Sequence, residues 1–202
     1  MPRGRFLVFE GIDASGKSTQ ARRIAEQRGA LFTFEPGDSA LGADLRRWLL
    51  DGSAPMAPVT EALLMLADRS HHVRSVIEPT LASGREVVSD RFFASSLAYQ
   101  GYGRGVDLTQ LRVATELAIG DCRADLTILI DISLEVANER RTRNHEDRFE
   151  SSDLAFHQRV RQGYLELAAT EADWCVVDGS GTLEEVGAAI DAVLAARTWT
   201  DG

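Results

Sequence analysis

Arg5-Phe6-Leu7-Val8-Phe9-Glu10-Gly11-Ile12-Asp13-Ala14-Ser15-Gly16-Lys17-Ser18-Thr19 decides how the rest of the chain is read. Its first part, Arg5 to Glu10, is an apolar run that predicts a buried strand. From about Gly16 the pattern becomes helical and continues to Arg28, with Gly29 as the stop. Between the two, Gly11 to Ser18 fit the phosphate-cradling pattern G-x-x-x-x-G-K-[ST] in full. Gly11 and Gly16 permit backbone angles and close approaches that a side chain would block. The backbone N–H groups of such a loop point inward, reinforced by the positive end of the helix dipole. Lys17 is placed to span the outer phosphates of a nucleoside triphosphate, and Ser18 to offer its hydroxyl to Mg²⁺. The bland alternative is a Gly/Ser turn that merely joins strand to helix, and the flanking elements argue against it.

One count strengthens that reading. The chain has 21 arginines and a single lysine, and the lysine is Lys17. Codon bias can make lysine scarce, but it does not explain why the survivor sits in this slot. A compact ammonium on a flexible stem does there what a planar guanidinium does poorly.

Working outward, short apolar strands alternate with helical patterns. Strands are expected at Leu31 to Phe34, Glu86 to Asp90, Leu126 to Ile132 and Trp174 to Val177. Helices are expected at Leu41 to Leu50 (ended by Gly52), Pro58 to Ile77, from Asp107 onward, after Ser133, at Asp153 to Ala172, and after the Thr182–Glu185 capping box. In the second of these, Val59, Leu63, Leu66, Val73 and Ile77 mark an apolar stripe. Gln100 to Gly105 reads as a polar, glycine-rich stretch, and Asn144 to Ser152 as a mobile loop. This alternation predicts an α/β fold, a five-stranded parallel sheet between two helical layers. At 202 residues a single domain spanning 1–202 is expected, with a short lid at about 140–152.

Composition narrows the function. The net charge of −9 argues against a general affinity for nucleic acid or anionic membrane. No apolar run approaches the ~18 residues a membrane span needs, and the N-terminus lacks a signal-peptide core, so a cytoplasmic protein is expected. Cys122 and Cys175 have no metal-ligand spacing and read as apolar fillers or a chance disulfide.

Several segments resemble the thymidylate kinases, in family order and over almost the whole chain. They are Phe9 to Asp13 with Ser18-Thr19-Gln20, Glu35-Pro36-Gly37, Leu66-Ala67-Asp68-Arg69 with His72-Val73, Ser89-Asp90-Arg91-Phe92, Ser95 to Gly101, and Tyr164 to Ala168. The resemblance implies transfer of the γ-phosphoryl of ATP to dTMP with Mg²⁺. It also implies a homodimer through the helices near residues 40–50 and 58–77. Gly11, Ile12, Asp13, Ala14, Ser15, Gly16, Lys17, Ser18 and Thr19 would hold ATP, with Ser18 and Asp90 at the metal. Glu35, Pro36, Met65, Arg69, Arg91, Ser96, Tyr99, Gln100 and Tyr164 would surround the acceptor.

Phosphoryl transfer brings two polyanions together, so a second cationic site must face the loop. Arg91, past the end of a strand, and Arg69, on a helix, are expected to form a fork around the acceptor phosphate. Asp13, inside the loop, would order Mg²⁺-bound water or the acceptor phosphate, or else form an Asx turn. Arg140, Arg141, Arg143 and Arg148 crowd the lid. Position 14, an arginine in one family branch, is Ala14, so the lid is expected to supply that charge, first through Arg143 and next through Arg148.

Three departures bear on the base. Met65 stands where the family usually stacks a phenylalanine, Phe34 where it usually has arginine, and Asp38 and Ser39 where it has glycine and threonine. Kinases for another pyrimidine monophosphate, such as dUMP or a modified dTMP, therefore remain alternatives. A non-catalytic nucleotide switch is a further one, although it would need neither Arg69 and Arg91 nor the lid arginines.

Overall fold

The computed structural model describes residues 2–50, 56–143 and 151–199. Five parallel strands form one sheet in the order β2-β3-β1-β4-β5. They are β1 (Phe6–Glu10), β2 (Leu31–Phe34), β3 (Val87–Asp90), β4 (Leu126–Asp131) and β5 (Trp174–Asp178). Helices α1 (Lys17–Arg28), α2 (Ala40–Leu50), α3 (Pro58–His72), α4 (Glu78–Ala82), α5 (Phe93–Ser96), α6 (Leu108–Ile119), α7 (Leu134–Arg143), α8 (Ser151–Thr170) and α9 (Leu183–Ala196) make the connections. β1 is central and buried throughout, which is why it reads as an unbroken apolar run. Ile24, Val186 and Ile190 pack on one face of the sheet, and Leu66, Leu97 and Tyr164 belong to the core on the other side.

The caps follow the sequence closely. Gly29 closes α1 in the left-handed region at φ 62°. Asp107 accepts from the Gln110 N–H, Ser133 Oγ from the Val136 N–H, and Thr182 with Glu185 forms the reciprocal box. Residues 144–150 of the expected loop lie outside the described residues, as does Gly52, but Ser151 and Ser152 already belong to α8. Both cysteines are free thiols. Cys122 is buried, which pushes its pKa up to about 11.

Two elements depart from expectation. The long helix does not run evenly to Ile77, because Val73–Ile77 is π-wound between α3 and α4. Pro79 follows at once; with no N–H to give, it cannot continue the preceding ladder. The stripe also divides: Leu66, Val73 and Ile77 are buried, while Val59 and Leu63 face outward. The second departure is at Gln100 to Gly105, where Phe93 to Gly103 is helical, α5 running into a π-wound turn at Leu97–Gly103. Such turns occur disproportionately at functional sites.

Candidate active site

The carboxyl ends of β1 and β3 are neighbours, with Phe9 opposite Asp90. Both chains turn sharply here, so their next residues meet over the sheet edge, where ligands of open α/β folds bind. The Arg91 N–H donates to Phe9 O at 2.9 Å. Arg91 itself adopts φ 75°, a left-handed conformation rare for a residue with a side chain.

After β1 the loop Gly11–Ser18 curls back on itself. Gly11 is at φ 147°, and a Cβ there would lie 2.5 Å from Ile130 O and 2.8 Å from Ser15 Oγ. Gly16 needs only the angle, φ 91°. Ala14 is also left-handed, at φ 64°. Lys17 begins α1, with Nζ 3.4 Å from Ile12 O and 3.7 Å from Asp13 Oδ1. Its side chain is buried rather than exposed, although it lines the cleft. Burial, followed by Arg91, pushes its pKa down, against Asp13, Asp90 and Glu10.

A cleft of about 560 Å³ lies in front of the loop. Of the expected residues, Asp13, Lys17, Ser18, Glu35, Pro36, Met65, Asp90, Arg91, Tyr99 and Gln100 line it. Asp13 is its electrostatic hinge: Oδ1 lies 2.6 Å from Arg91 Nη2 and faces Lys17. Burial alone would raise the Asp13 pKa, but Arg91 and Lys17 outweigh it and hold the carboxyl well below the usual range. The guanidinium of Arg91 also donates to Ser95 Oγ (3.0 Å), Tyr164 Oη (3.2 Å) and Tyr99 Oη (3.2 Å), and sits 4.9 Å from the Tyr99 ring centre.

Arg69, Ser96 and Tyr164 are placed differently from expectation. All three are buried behind the cleft wall. Arg69 is wholly buried: Nε meets Glu35 Oε2 at 2.7 Å, Nη1 meets Ser96 Oγ at 2.7 Å, and Nη2 meets Phe92 O at 2.9 Å. It is therefore a strut beneath the floor and not half of a fork with Arg91. Glu35, before a cis peptide to Pro36, also accepts from His72 Nδ1 at 2.9 Å. Burial would raise the Glu35 pKa, yet Arg69 and then His72 bring it below the ordinary value.

Of the lid arginines, Arg148 and the side chain of Arg143 lie outside the described residues. Arg140 is not a free lid charge. It donates to Ala14 O and Ser15 O of the loop and to Gly179 O and Gly181 O beyond β5, on the wall of a second cavity of about 570 Å³ beside the loop.

Several site residues went unread in the sequence. Arg22, Phe32, Arg46, Leu49, Glu61 and Ser95 line the cleft. Arg46 donates to Pro36 O at 2.6 Å and lies over Phe34 at 5.6 Å, so a cation attends the position where family members carry arginine. Glu10 is wholly buried at the end of β1. Its Oε1 accepts from the N–H groups of Phe92 (2.9 Å) and Ser95 (3.2 Å), and its Oε2 from Ser95 Oγ (2.7 Å) and Tyr164 Oη (3.0 Å). Burial pushes its pKa up against Arg91 and these donors. A carboxylate closing an apolar strand was the available signal, since a buried charge demands partners.

The family model for thymidylate kinase matches residues 9–190. Thymidylate kinase of Carboxydothermus hydrogenoformans is 46% identical over 190 residues, covering 91% of this chain and 93% of that protein. Thymidylate kinase of Nostoc is 41% identical, covering 95% of each. The crystal structure of thymidylate kinase from Ehrlichia chaffeensis superposes with a TM-score of 0.78 at 30% identity, over 96% of this chain and 99% of that one. The family model spans most of the chain, and relatives of that name match it over nearly its whole length; the chain belongs to the thymidylate kinase family.

Proposed function

We propose that the protein transfers the γ-phosphoryl group of ATP to dTMP, giving ADP and dTDP, in the cytosol. One observation carries the reading: Arg91, just past the end of β3, and Lys17, at the start of α1, converge on one cleft and share the Asp13 carboxylate between them. Two cations held together by an anion suit a site that brings two phosphates together. The donor phosphates would lie along Gly11–Thr19 with Lys17 on the outer oxygens, and the acceptor phosphate would compete with Asp13 for Arg91. The second cavity, beside Ser15 and Gly16, suits the adenine end of ATP. A charge from Arg143 or Arg148 at the transferring group is part of this proposal, on sequence grounds alone.

The residues present suit Mg²⁺. Asp90 Oδ1 is buried and has no hydrogen-bond partner among the described residues, and Ser18 lines the same cleft. When bound, the ion would supply charge neutralisation between the donor phosphates.

Base choice rests on Gln100 and Met65. Gln100 Nε2 donates to Glu61 Oε1 at 2.8 Å, and a carboxylate only accepts, so the amide is held one way round. Oε1 has no partner among the described residues, an acceptor suited to the ring N–H of thymine or uracil and unsuited to the bare ring nitrogen of cytosine. Met65 stacks more weakly than phenylalanine, about 0.3–1.5 kcal/mol for sulfur on an aromatic ring against ~1–3 for base–aromatic stacking. A coupled ADP-release assay over a panel of ribo- and deoxynucleoside monophosphates should show dTMP first, dUMP second and dCMP far behind. Met65→Phe should widen the dTMP-to-dUMP ratio of kcat/KM by a few-fold. No turnover of any monophosphate would favour the switch reading, and an unchanged ratio would remove Met65 from the base.

A homodimer is part of the proposal. Trp48 of α2, Val59 and Leu63 of α3, and Val113 and Leu117 of α6 are between 58% and 83% exposed. Their helices pack side by side, which makes an apolar face of this breadth suited to a second copy. Light scattering should give twice the chain mass for the native protein. The paired change Leu63→Glu and Leu117→Glu should give one chain mass with helicity retained.

A further inference from the structure

Glu10 does not line the cleft, yet it sits directly behind Arg91, in contact with both hydroxyls that Arg91 Nη1 uses. We propose that Glu10 is a positioning residue for the acceptor: by taking the protons of Ser95 and Tyr164 it turns both oxygens toward Arg91 and so aims that guanidinium. The inference rests on the reading that Arg91 grips the acceptor phosphate.

Proton accounting carries it. Ser95 Oγ and Tyr164 Oη have one proton each, a carboxylate has none, and a guanidinium can only donate. Oε1 of Glu10 is occupied by the Phe92 and Ser95 N–H groups, so the hydroxyls fall to Oε2, at 2.7 and 3.0 Å. Arg91 Nη1 approaches the same two oxygens from the other side, at 3.0 and 3.2 Å. With both hydroxyl protons pointing to Glu10, both sets of lone pairs face Arg91, and the contacts to Glu10 Oε2 and to Arg91 Nη1 are satisfied together. The 2.8 Å approach of the two hydroxyl oxygens is then tolerated because an anion and a cation hold them from opposite sides. With Nη1 fixed in this way, Nη2 is left facing Asp13 and the cleft.

Glu10→Gln is then a polarity switch of nearly unchanged shape. Its carbonyl must stay on the two backbone N–H groups, so its NH₂ meets the hydroxyls and donates. Their protons are then turned away from residue 10, toward Arg91. Initial rates at varied acceptor and varied donor, with melting temperature as the fold control, read the result. Glu10→Gln should lower kcat/KM for dTMP by about 30-fold and leave the KM for ATP within about twofold. Adding Tyr164→Phe removes one inverted dipole and should recover about fivefold of that loss. A purely structural role predicts the opposite, further loss on the second change. Equal losses on donor and acceptor, or no recovery, would overturn the proposal.

If Glu10→Gln does not accumulate folded, Ser95→Ala with Tyr164→Phe takes its place. That pair should raise the KM for dTMP alone, and an unchanged KM overturns the inference. Arg91→Ala separates the two readings. If it leaves the KM for dTMP unaltered, the assignment of the acceptor site fails. If it raises that KM while Glu10→Gln does not, only the role of Glu10 fails.

Discussion

Lys17→Ala is expected to lower kcat by about 10³-fold or more while the protein stays folded. The large loss follows from what a buried ammonium does, since a charge held out of bulk water and aimed at developing negative charge acts far more strongly than in water. Lys17 is 7% exposed, lies at the start of α1, and has Arg91 as its neighbouring cation. The small effect on folding follows from the same burial. Among the described residues its Nζ makes only a long contact to Ile12 O and a 3.7 Å approach to Asp13, while burial and Arg91 together disfavour its charged form. Folding gains little from that charge, so thermal unfolding should move by no more than a few degrees. Lys17→Arg should fail almost as fully, because the guanidinium is wide and planar where a compact donor is needed. Steady-state turnover together with a melting curve tests both variants, and substantial retained activity would mean that the cradle has been assigned wrongly.

Strands and caps were legible because their causes are local. A strand buried on both faces must be apolar throughout, and a cap needs one oxygen at one position, so β1, Asp107 and the Thr182–Glu185 box could be read directly. The helix over Phe93 to Gly103 could not, because its glycines act through packing. A Cβ on Gly101 would lie 2.4 Å from Leu108 Cδ2, and one on Gly103 would lie 2.5 Å from the Phe156 ring. In the sequence the same residues resemble a turn. Across the structure they are the close approaches that let this helix seat against α6 and α8. The loop glycines were legible because both adopt positive φ, a local property, which is the whole requirement at Gly16 and part of it at Gly11, where a Cβ would also meet Ile130 O.

Arginines show the opposite limit. Arg91, Arg69 and Arg140 look alike in a sequence, the first two within family motifs and the third among the arginines of the expected lid. What separates them is direction: Arg91 lines the cleft, Arg69 points beneath it into the protein, and Arg140 reaches backbone carbonyls on two loops. Direction is set by which carboxylates and carbonyls the fold brings near, and for Arg69 the decisive partner, Glu35, is 34 residues away. The role of Glu10 is set in the same way, by Ser95 and Tyr164, which the fold brings to it from 85 and 154 residues away.

Arg69→Met should cost the most stability of any change at the site. Arg69 and Glu35 form an ion pair with both side chains 1% exposed, and removing the cation leaves a carboxylate buried beside His72. Breaking one side of such a pair typically costs about 3–5 kcal/mol, a large share of the ~5–15 kcal/mol that holds a domain together. The loss is chiefly the stranded charge, so Glu35→Gln placed on top should restore part of it, and a double-mutant cycle in urea measures that coupling. The pH dependence has a definite sign. In the native protein Arg69 brings Glu35 below its ordinary pKa, a contribution present above the unfolded value and lost as pH falls through the folded one. Without Arg69, burial raises the Glu35 pKa, and protonation then relieves the variant as the medium becomes more acidic. The stability gap between native protein and Arg69→Met should therefore narrow steadily from pH 7 toward pH 5. A gap that stays constant over that range, with Glu35→Gln restoring nothing, would mean that the cost is lost packing of the arginine stem and not an unpaired carboxylate.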